Sequence, residues 1–148
     1  MNEVKAYLRR VEWYDAIINS KLEEVQSLKD MTTKITSTLG GEIVSGTRGQ
    51  DKLGNAVAKI IDLEAEIDQA IDDYIDLKKS VCSLIERVTD ADRHKVLHKR
   101  YVEFMQWEDI ADDMNMSLRN VYLIHGRALQ DFEQLMKGKD NEDSIFQA

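Results

Sequence analysis

The first 88 residues carry a hydrophobic pattern with the seven-residue period of a coiled coil. Apolar side chains fill eight of ten a and d positions in the first segment, and apolar or aromatic side chains fill all nine in the second. This pattern predicts long helices over about residues 2–35 and 56–88. Residues 37–55 lie between them and contain five glycines, which predicts a mobile loop. Because such a loop permits the chain to reverse, we expect a long antiparallel helical hairpin over residues 1–88.

Several apolar residues of the second helix lie off the a and d seam. They are Ile61, Ile71, Ile75, Cys82 and Ile85. A two-helix hairpin buries one stripe of each helix and leaves such side chains in water. The surplus predicts a second contact, either with the C-terminal domain or with another copy of the chain. We expect a homodimer.

A shorter helical pattern over residues 89–137 predicts a compact three-helix domain. Thr89 is predicted as the N-cap of its first helix, because a hydroxyl there accepts a free backbone N–H. Residues 138–148 are polar and are predicted to form a flexible tail. The predicted fold class is therefore all-α, a long antiparallel helical hairpin followed by a small helix-turn-helix domain.

The segment Trp107–Gly126 has the spacing of a helix-turn-helix. Ala111 is small enough for the two helices to touch, and Asn115 tolerates the positive φ that the turn requires. Ser117 is predicted as the N-cap of the second helix. Five apolar residues are predicted to fill the wedge between the helices: Ile110, Met114, Met116, Val121 and Ile124. The alternative is an ordinary helical hairpin within a bundle.

The composition restricts the function further. The 148-residue chain has no proline, one cysteine and a net charge of −8, so it offers no bulk affinity for phosphate and any DNA-binding surface must be local. Four cations do cluster just before the motif, namely Arg93, Lys95, Lys99 and Arg100. There is no apolar run of the roughly 20 residues that span a bilayer, and the charged start of the chain predicts no signal peptide. We expect a cytoplasmic protein that does not enter membranes.

The string from Lys99 to Phe132 resembles region four of bacterial sigma factors, the helix-turn-helix that binds promoters. The matching elements are Arg100-Tyr101, Trp107 to Ala111, Ser117, Val121 and Arg127 to Leu129. More loosely, the whole chain resembles the small phage and prophage transcriptional regulators of Gram-positive bacteria of the ArpU type. The resemblance implies a phage-encoded transcription factor. These families often carry basic residues where this chain has Leu118 and Leu123, Ser at Gln106 and Gly at Phe104.

A helix-turn-helix presents the start of its second helix to the major groove. Double-stranded DNA is therefore the expected partner, and RNA polymerase is a second candidate partner. Arg119 is expected to pair with guanine, Asn120 with adenine, and Leu118 with a thymine methyl group. Six residues of the reading helix are expected at the interface: Ser117, Leu118, Arg119, Asn120, Tyr122 and Leu123. Three more are expected to contact the DNA backbone: Lys99, Arg100 and Arg127.

Other chemistry has less support. His94 and His98 have the four-residue spacing of metal ligands but no third ligand nearby in sequence, so we interpret them as a solvated or phosphate-facing pair. The acidic residues of the second helix lack the Glu-x-x-His motifs of di-iron bundles. We expect no cofactor, no metal and no enzymatic activity. Two alternatives to a regulator are a helical interaction protein and a small terminase subunit, in which the DNA-binding domain usually comes first rather than last.

Overall fold

The computed structural model describes residues 2–39 and 46–147, and these residues form helices joined by short segments without any strand. The all-α prediction is therefore confirmed. The helices are α1 (Asn2–Leu39), α2 (Gly46–Glu86), α3 (Ala91–Tyr101), α4 (Trp107–Asp113) and α5 (Leu118–Gln147).

The chain divides into two compact units. Unit 1 comprises Met1–Trp13 and Tyr74–Ala148, and unit 2 comprises Tyr14–Asp73. Both long helices pass from one unit into the other. In unit 2 the core contains Val25 and Leu28 of α1 with Leu63 and Ile67 of α2, flanked by Ile60 and Ile71.

Ion pairs line the helix pair of unit 2. Lys21 contacts Glu66 at 2.8 Å, and Lys59 contacts Glu24 at 3.3 Å. Only six residues separate the end of α1 from the start of α2, too few to return along a helix of 38 residues. With these pairs, the short connection makes the two helices antiparallel. Each pair is solvent-exposed and contributes about 1 kcal/mol or less, so the apolar seam supplies most of the stability.

Both long helices extend into the segment 37–55, which the sequence predicts as a mobile loop. Helix α1 continues to Leu39 and α2 begins at Gly46. Gly40 and Gly41 lie outside the described residues. A glycine within a helix costs only about 1 kcal/mol, and α2 includes Gly46, Gly49 and Gly54. A Cβ added at Gly54 would meet no atom within 4 Å, so packing does not require glycine at that position.

The core of unit 1 combines the start of α1 and the end of α2 with the three C-terminal helices. Tyr7 of α1 and Phe132 of α5 lie with their ring centroids 6.2 Å apart. The apolar residues buried in this unit are Val4, Leu8, Val11, Leu77, Val81, Leu84, Ile85, Val88, Val96, Leu97, Tyr101, Ile110, Ala111, Val121, Ala128, Leu129 and Phe132. The start of α1 therefore belongs to the same compact unit as the helix-turn-helix. That residues 89–137 fold as a separate domain stays a prediction.

The apolar residues predicted to lie off the seam have different environments. Ile85 is 1% exposed in the core of unit 1, and Ile71 packs beside the core of unit 2. Cys82 is half-buried. Ile61 and Ile75 stay exposed, at 61% and 43%. Much of the predicted surplus is thus covered within the chain, which leaves a smaller apolar surface for the predicted second copy.

The C-terminal segment is helical. Residues 138–147 continue α5 in place of the flexible tail that the sequence predicts. The segment contains no proline that would end the helix, and Lys139 Nζ donates to Ser80 Oγ of α2 at 3.3 Å. Within residues 2–39 and 46–147, no helix is both long and apolar enough to cross a membrane.

We expect Leu8→Ala to lower the free energy of unfolding by about 2–5 kcal/mol, because Leu8 is fully buried in unit 1 and truncation leaves a cavity. The matched control is Leu22→Ala on the same helix. Leu22 is 48% exposed, so this change should cost less than about 1 kcal/mol. Urea denaturation followed by circular dichroism measures both. Equal effects of the two variants would show that the start of α1 is not part of the core.

Candidate nucleic-acid interface

Helix α3 begins one residue later than predicted. Asp90, not Thr89, is the N-cap, because its Oδ1 accepts the backbone N–H of Arg93 at 3.0 Å. Arg93 also donates to Asp131 of α5 at 2.9 Å, which ties the first turn of α3 to α5. The prediction placed the right kind of cap at the wrong neighbour, because Thr and Asp are both good N-caps.

A tight loop follows α3. The backbone N–H groups of Val102 and Glu103 both donate to the carbonyl of His98, and Met105 N–H donates to the carbonyl of Lys99 at 2.9 Å. Phe104 has a φ of 59°, in the left-handed region that disfavours side chains with a Cβ. The position at which the resembling families often carry Gly is therefore one where the backbone favours it.

The helix-turn-helix forms as predicted. Helix α4 ends at Asp113, and Asn115 has a φ of 52°, which confirms the predicted positive φ. Met116 N–H donates to the Ala111 carbonyl at 2.9 Å and closes the turn. Ser117 Oγ accepts the backbone N–H of Asn120 at 3.1 Å, so Ser117 is the N-cap of α5.

The wedge between the helices is apolar. Ile110 and Ala111 of α4 pack with Val121 of α5 and with Val96 of α3. Five partly buried side chains surround them: Met105, Trp107, Met114, Met116 and Ile124. Ile110, Val96 and Val121 are completely buried. All five predicted wedge residues are present, and α3 adds Val96.

The predicted contact residues of α5 lie outside the buried wedge, although Tyr122 contacts Trp107 at its edge. Arg119, Asn120 and Arg127 are exposed, Tyr122 is 46% exposed and Leu123 is 55% exposed. Leu118 is half-buried, and the exposed Ser117 uses its oxygen as the cap. From 118 to 130 the sequence contains two arginines and no acidic residue. The exposed face of the first turns of α5 is therefore locally positive on a chain whose net charge is −8.

The two predicted contacts on α3 have structural partners. Lys99 forms an ion pair with Asp113, whose hydrogen bond raises the pKa of the lysine above its usual range. Arg100 donates to the Met105 carbonyl at 2.9 Å, and its guanidinium carbon lies 4.7 Å from the centre of the Trp107 ring. Both cations thus hold α4 and the preceding loop in place.

Helix α4 is negatively charged, in contrast to the exposed face of α5. Four of its seven residues are acidic and exposed: Glu108, Asp109, Asp112 and Asp113. Of these, Asp113 is neutralised by Lys99. Because phosphates repel carboxylates, the remaining three give α4 no affinity for a nucleic-acid backbone.

A buried polar pair lies beneath the aromatic side chains of this site. The Tyr101 hydroxyl and His125 Nε2 form a hydrogen bond of 2.7 Å, and His125 is 8% exposed. Burial, with smaller contributions from Lys5, Arg100 and Arg9, lowers the pKa of His125 to about 4. The ring is therefore neutral at pH 7.

The Trp107 ring packs between the buried His125 and the exposed Tyr122. Its ring centroid lies 4.5 Å from that of His125 and 5.4 Å from that of Tyr122, both in edge-to-face geometry. Sequence reasoning missed the role of His125. The available signal was its spacing, four residues after Val121 and four before Leu129, which places it on the buried face.

The histidine pair of α3 has partners within the chain. His94 Nδ1 lies 3.0 Å from the Ile85 carbonyl, and His98 Nδ1 lies 3.0 Å from a carboxylate oxygen of Glu103. The two rings are nearly parallel, with centroids 6.3 Å apart. Across residues 2–39 and 46–147, no cluster of three or more His, Cys, Asp or Glu has the arrangement of a metal site.

The comparisons with known proteins identify a family but not a function. The chain belongs to the family described as a protein of unknown function (DUF1492), whose model matches residues 34–133, about two-thirds of its length. No curated protein and no solved structure matches it. The match includes all of α2, α3 and α4 and about half of α5.

Substitutions at the two N-cap residues of the motif should have opposite effects on the free energy of unfolding. Ser117→Ala removes the cap of α5 and should lower the free energy of unfolding by about 1 kcal/mol. Gln106, the N-cap of α4, makes no side-chain cap hydrogen bond, so Gln106→Ser should raise it by about 0.5–1 kcal/mol. Thermal unfolding of both variants measures this. A lower stability of Gln106→Ser would contradict the cap assignment at α4.

The buried His125 predicts a loss of stability in acid. Below about pH 6.5 the unfolded chain binds a proton at this histidine, whereas the folded chain does not until about pH 4. Stability contributed by the neutral ring is therefore present above pH 6.5 and falls as the pH decreases to 4, by about 2–3 kcal/mol at pH 4.5. Urea unfolding at pH 7 and pH 4.5 measures the change. The His125→Gln variant lacks this titrating ring but keeps all the other titrating groups. It should therefore lose less stability than the wild type between pH 7 and pH 4.5.

Proposed function

We propose that this member of the DUF1492 family is a sequence-specific DNA-binding regulator of transcription that binds the major groove with the first turns of α5. One observation carries the proposal: a closed and capped helix-turn-helix presents an exposed helical face with Arg119, Asn120 and Arg127 and no acidic side chain between residues 118 and 130. A face of this kind has the shape and the donors that base edges require.

The exposed side chains divide into two roles. Arg119 and Asn120 lie in the first turn of α5, where a major-groove helix comes closest to the bases, and their donors suit guanine and adenine respectively. Arg127, two turns later, suits a phosphate. Lys99 and Arg100 act indirectly, because their contacts with Asp113 and Trp107 fix α4 against α5.

The sigma-factor and ArpU-type resemblance supports a role in transcription, in a phage or prophage setting and in the cytoplasm. The net charge of −8 weakens the attraction of a single copy for DNA. A second copy or RNA polymerase would supply further contacts. We therefore propose that the protein acts as a homodimer or docks on polymerase through its helical hairpin, whose exposed Ile61 offers apolar surface.

A second candidate function is docking onto another protein. Tyr122 and Leu123 are exposed at 46% and 55%, and the acidic α4 lies beside them in the motif. A helix-turn-helix with apolar and acidic surface suits a protein partner better than DNA. This candidate predicts no DNA binding even at low ionic strength.

DNA selection with the purified full chain from a random-sequence duplex pool, followed by gel shift on the recovered duplex, tests the leading proposal. Arg119→Ala should weaken binding by about 1–3 kcal/mol, because a bidentate base contact is lost. Arg119→Lys keeps the positive charge but loses the planar guanidinium that donates two parallel hydrogen bonds to guanine. This variant should therefore retain binding to random DNA while losing discrimination between sequences.

The control for total charge is the Lys29→Ala and Lys59→Ala double variant. Both lysines belong to unit 2 and form exposed ion pairs there, so DNA affinity should not change. If the wild-type chain binds no duplex at low salt, the protein-docking candidate replaces the DNA-binding proposal. If binding occurs but Arg119→Ala and Arg127→Ala both leave it unchanged, α5 is not the reading helix.

A further inference from the structure

The four cations of α3 differ in how the fold uses them. Arg93 and Lys99 each form an ion pair with an aspartate, and Arg100 covers an aromatic ring and donates to a backbone carbonyl. Lys95 is the fourth. It is exposed, and it forms no ion pair within the part of the chain that the structure describes. The charge of Lys95 is therefore available to a ligand.

Lys95 lies beside the turn from which α5 begins. It lines a groove together with Met114 and Met116 of that turn. Ser117, the N-cap of α5, is the residue that follows Met116. Val96, the neighbour of Lys95, is completely buried in the wedge, and Met114 and Met116 pack against the same wedge. Packing of α3 against the turn thus holds Lys95 at the N-terminal end of the proposed reading helix.

This position suits a contact with the DNA backbone. A helix that inserts its first turns into the major groove lies between the two phosphate backbones that border the groove, and the helix before it in the motif crosses a backbone. Side chains beside the turn therefore face phosphates rather than base edges. A lysine binds a phosphate as a flexible point charge and needs no planar geometry.

The groove also contains one charge that opposes Lys95. Its charged lining residues besides Lys95 are Asp92, Lys99 and Asp113. Lys99 and Asp113 neutralise each other in their ion pair. Asp92 is exposed, three residues before Lys95 on the same helix, and therefore lies on the same face. The carboxylate of Asp92 reduces the attraction of this groove for a phosphate.

A second groove borders Lys95 along α3. Its other lining residues are His94, His98, Lys99 and Glu103. Glu103 is the carboxylate among them, and one of its oxygens lies 3.0 Å from His98 Nδ1. On this side of Lys95 the carboxylate is thus already engaged, and Asp92 is the acidic neighbour that matters.

We propose that Lys95 of α3 binds a backbone phosphate of DNA at the N-terminal end of the reading helix, and that Asp92 beside it weakens this contact. The inference rests on the proposed DNA-binding function and deepens it. It assigns a backbone contact to the exposed cation of α3, whereas Lys99 and Arg100 hold α4 and the preceding loop in place.

The salt dependence of DNA binding tests the inference. The affinity of the full chain for a short duplex of random sequence is measured over a range of salt concentrations. Each phosphate contact contributes about 0.9 to the slope of log affinity against log salt. Lys95→Gln should therefore reduce the magnitude of that slope by about 0.9, and Lys95→Arg should keep it. Thermal unfolding checks that both variants fold, as expected at an exposed position.

The reciprocal variant is Asp92→Asn. It removes the carboxylate beside Lys95 and should tighten binding at low salt by about two- to fivefold, the effect of one exposed charge at close range. In the Lys95→Gln background the same change should have a smaller effect, because the phosphate contact is already lost.

The matched controls are Lys137→Gln and Asp140→Asn, which change the same charges at exposed positions of the same unit. Lys137 is nineteen residues after Leu118, about 28 Å along α5, and charges act over about 8 Å at physiological salt. Both controls should keep the wild-type slope and affinity.

The outcomes separate this inference from the proposed function. If the wild type binds and Arg119→Ala weakens it, but Lys95→Gln keeps the wild-type slope, the inference is wrong and the proposed function stands. If Lys137→Gln lowers the slope as much as Lys95→Gln does, the effect is one of net charge and the inference is again wrong. If the wild type binds no duplex, both are wrong.

Discussion

The packing of Ile110 and Val121 against Val96 is the contact on which the rest of the C-terminal structure depends. These three side chains come from three different helices and are completely buried. Their contact sets the angle at which α5 leaves the turn. Because a helix is rigid over its first turns, that angle decides which side chains of α5 face the core and which face solvent. Arg119, exposed on the opposite side, owes its position to this wedge rather than to a contact of its own.

Electrostatics and packing act together around this wedge. The buried Tyr101–His125 pair is tolerated because each polar group is satisfied by the other, and the ring stays neutral. Among the cations of the motif, Lys99 pairs with Asp113 and Arg100 packs on Trp107, whereas Arg119 and Arg127 are exposed on α5. At physiological salt, charges act over only about 8 Å, so the net charge of the chain matters less at this surface than the few charges beside α5. An acidic protein thus retains a locally positive surface.

The sequence predicted the helix-turn-helix in detail because its constraints are local. A positive φ at Asn115, a hydroxyl at Ser117 and a small side chain at Ala111 are each required by the backbone within a few residues. Constraints of this kind can be recognised from the residue types within a short stretch of sequence. Two predictions show the limit of such reasoning. The N-cap of α3 was placed at Thr89 because neighbouring residues with similar propensity are not distinguished by sequence. The predicted loop was too long because the small cost of a glycine does not prevent a helix.

Tertiary features were less predictable. The apolar stripe of α1 runs along the whole helix with the same period, so it does not reveal that Leu8 is buried in unit 1 and Val25 in unit 2. An apolar stripe specifies that a face is buried but not what covers it. The same limit hid the environment of His125 and of Lys99, whose partners are distant in sequence or on another helix.

The position of Leu8 also bears on what the family match means for this chain. The matched segment begins at residue 34, yet the unit that contains the helix-turn-helix includes buried side chains from the first three turns of α1. Removing those turns would expose the faces of Phe132 and its neighbours that they cover. The matched segment is therefore not the whole structural unit. The core that holds α5 in place therefore depends on residues that precede the match.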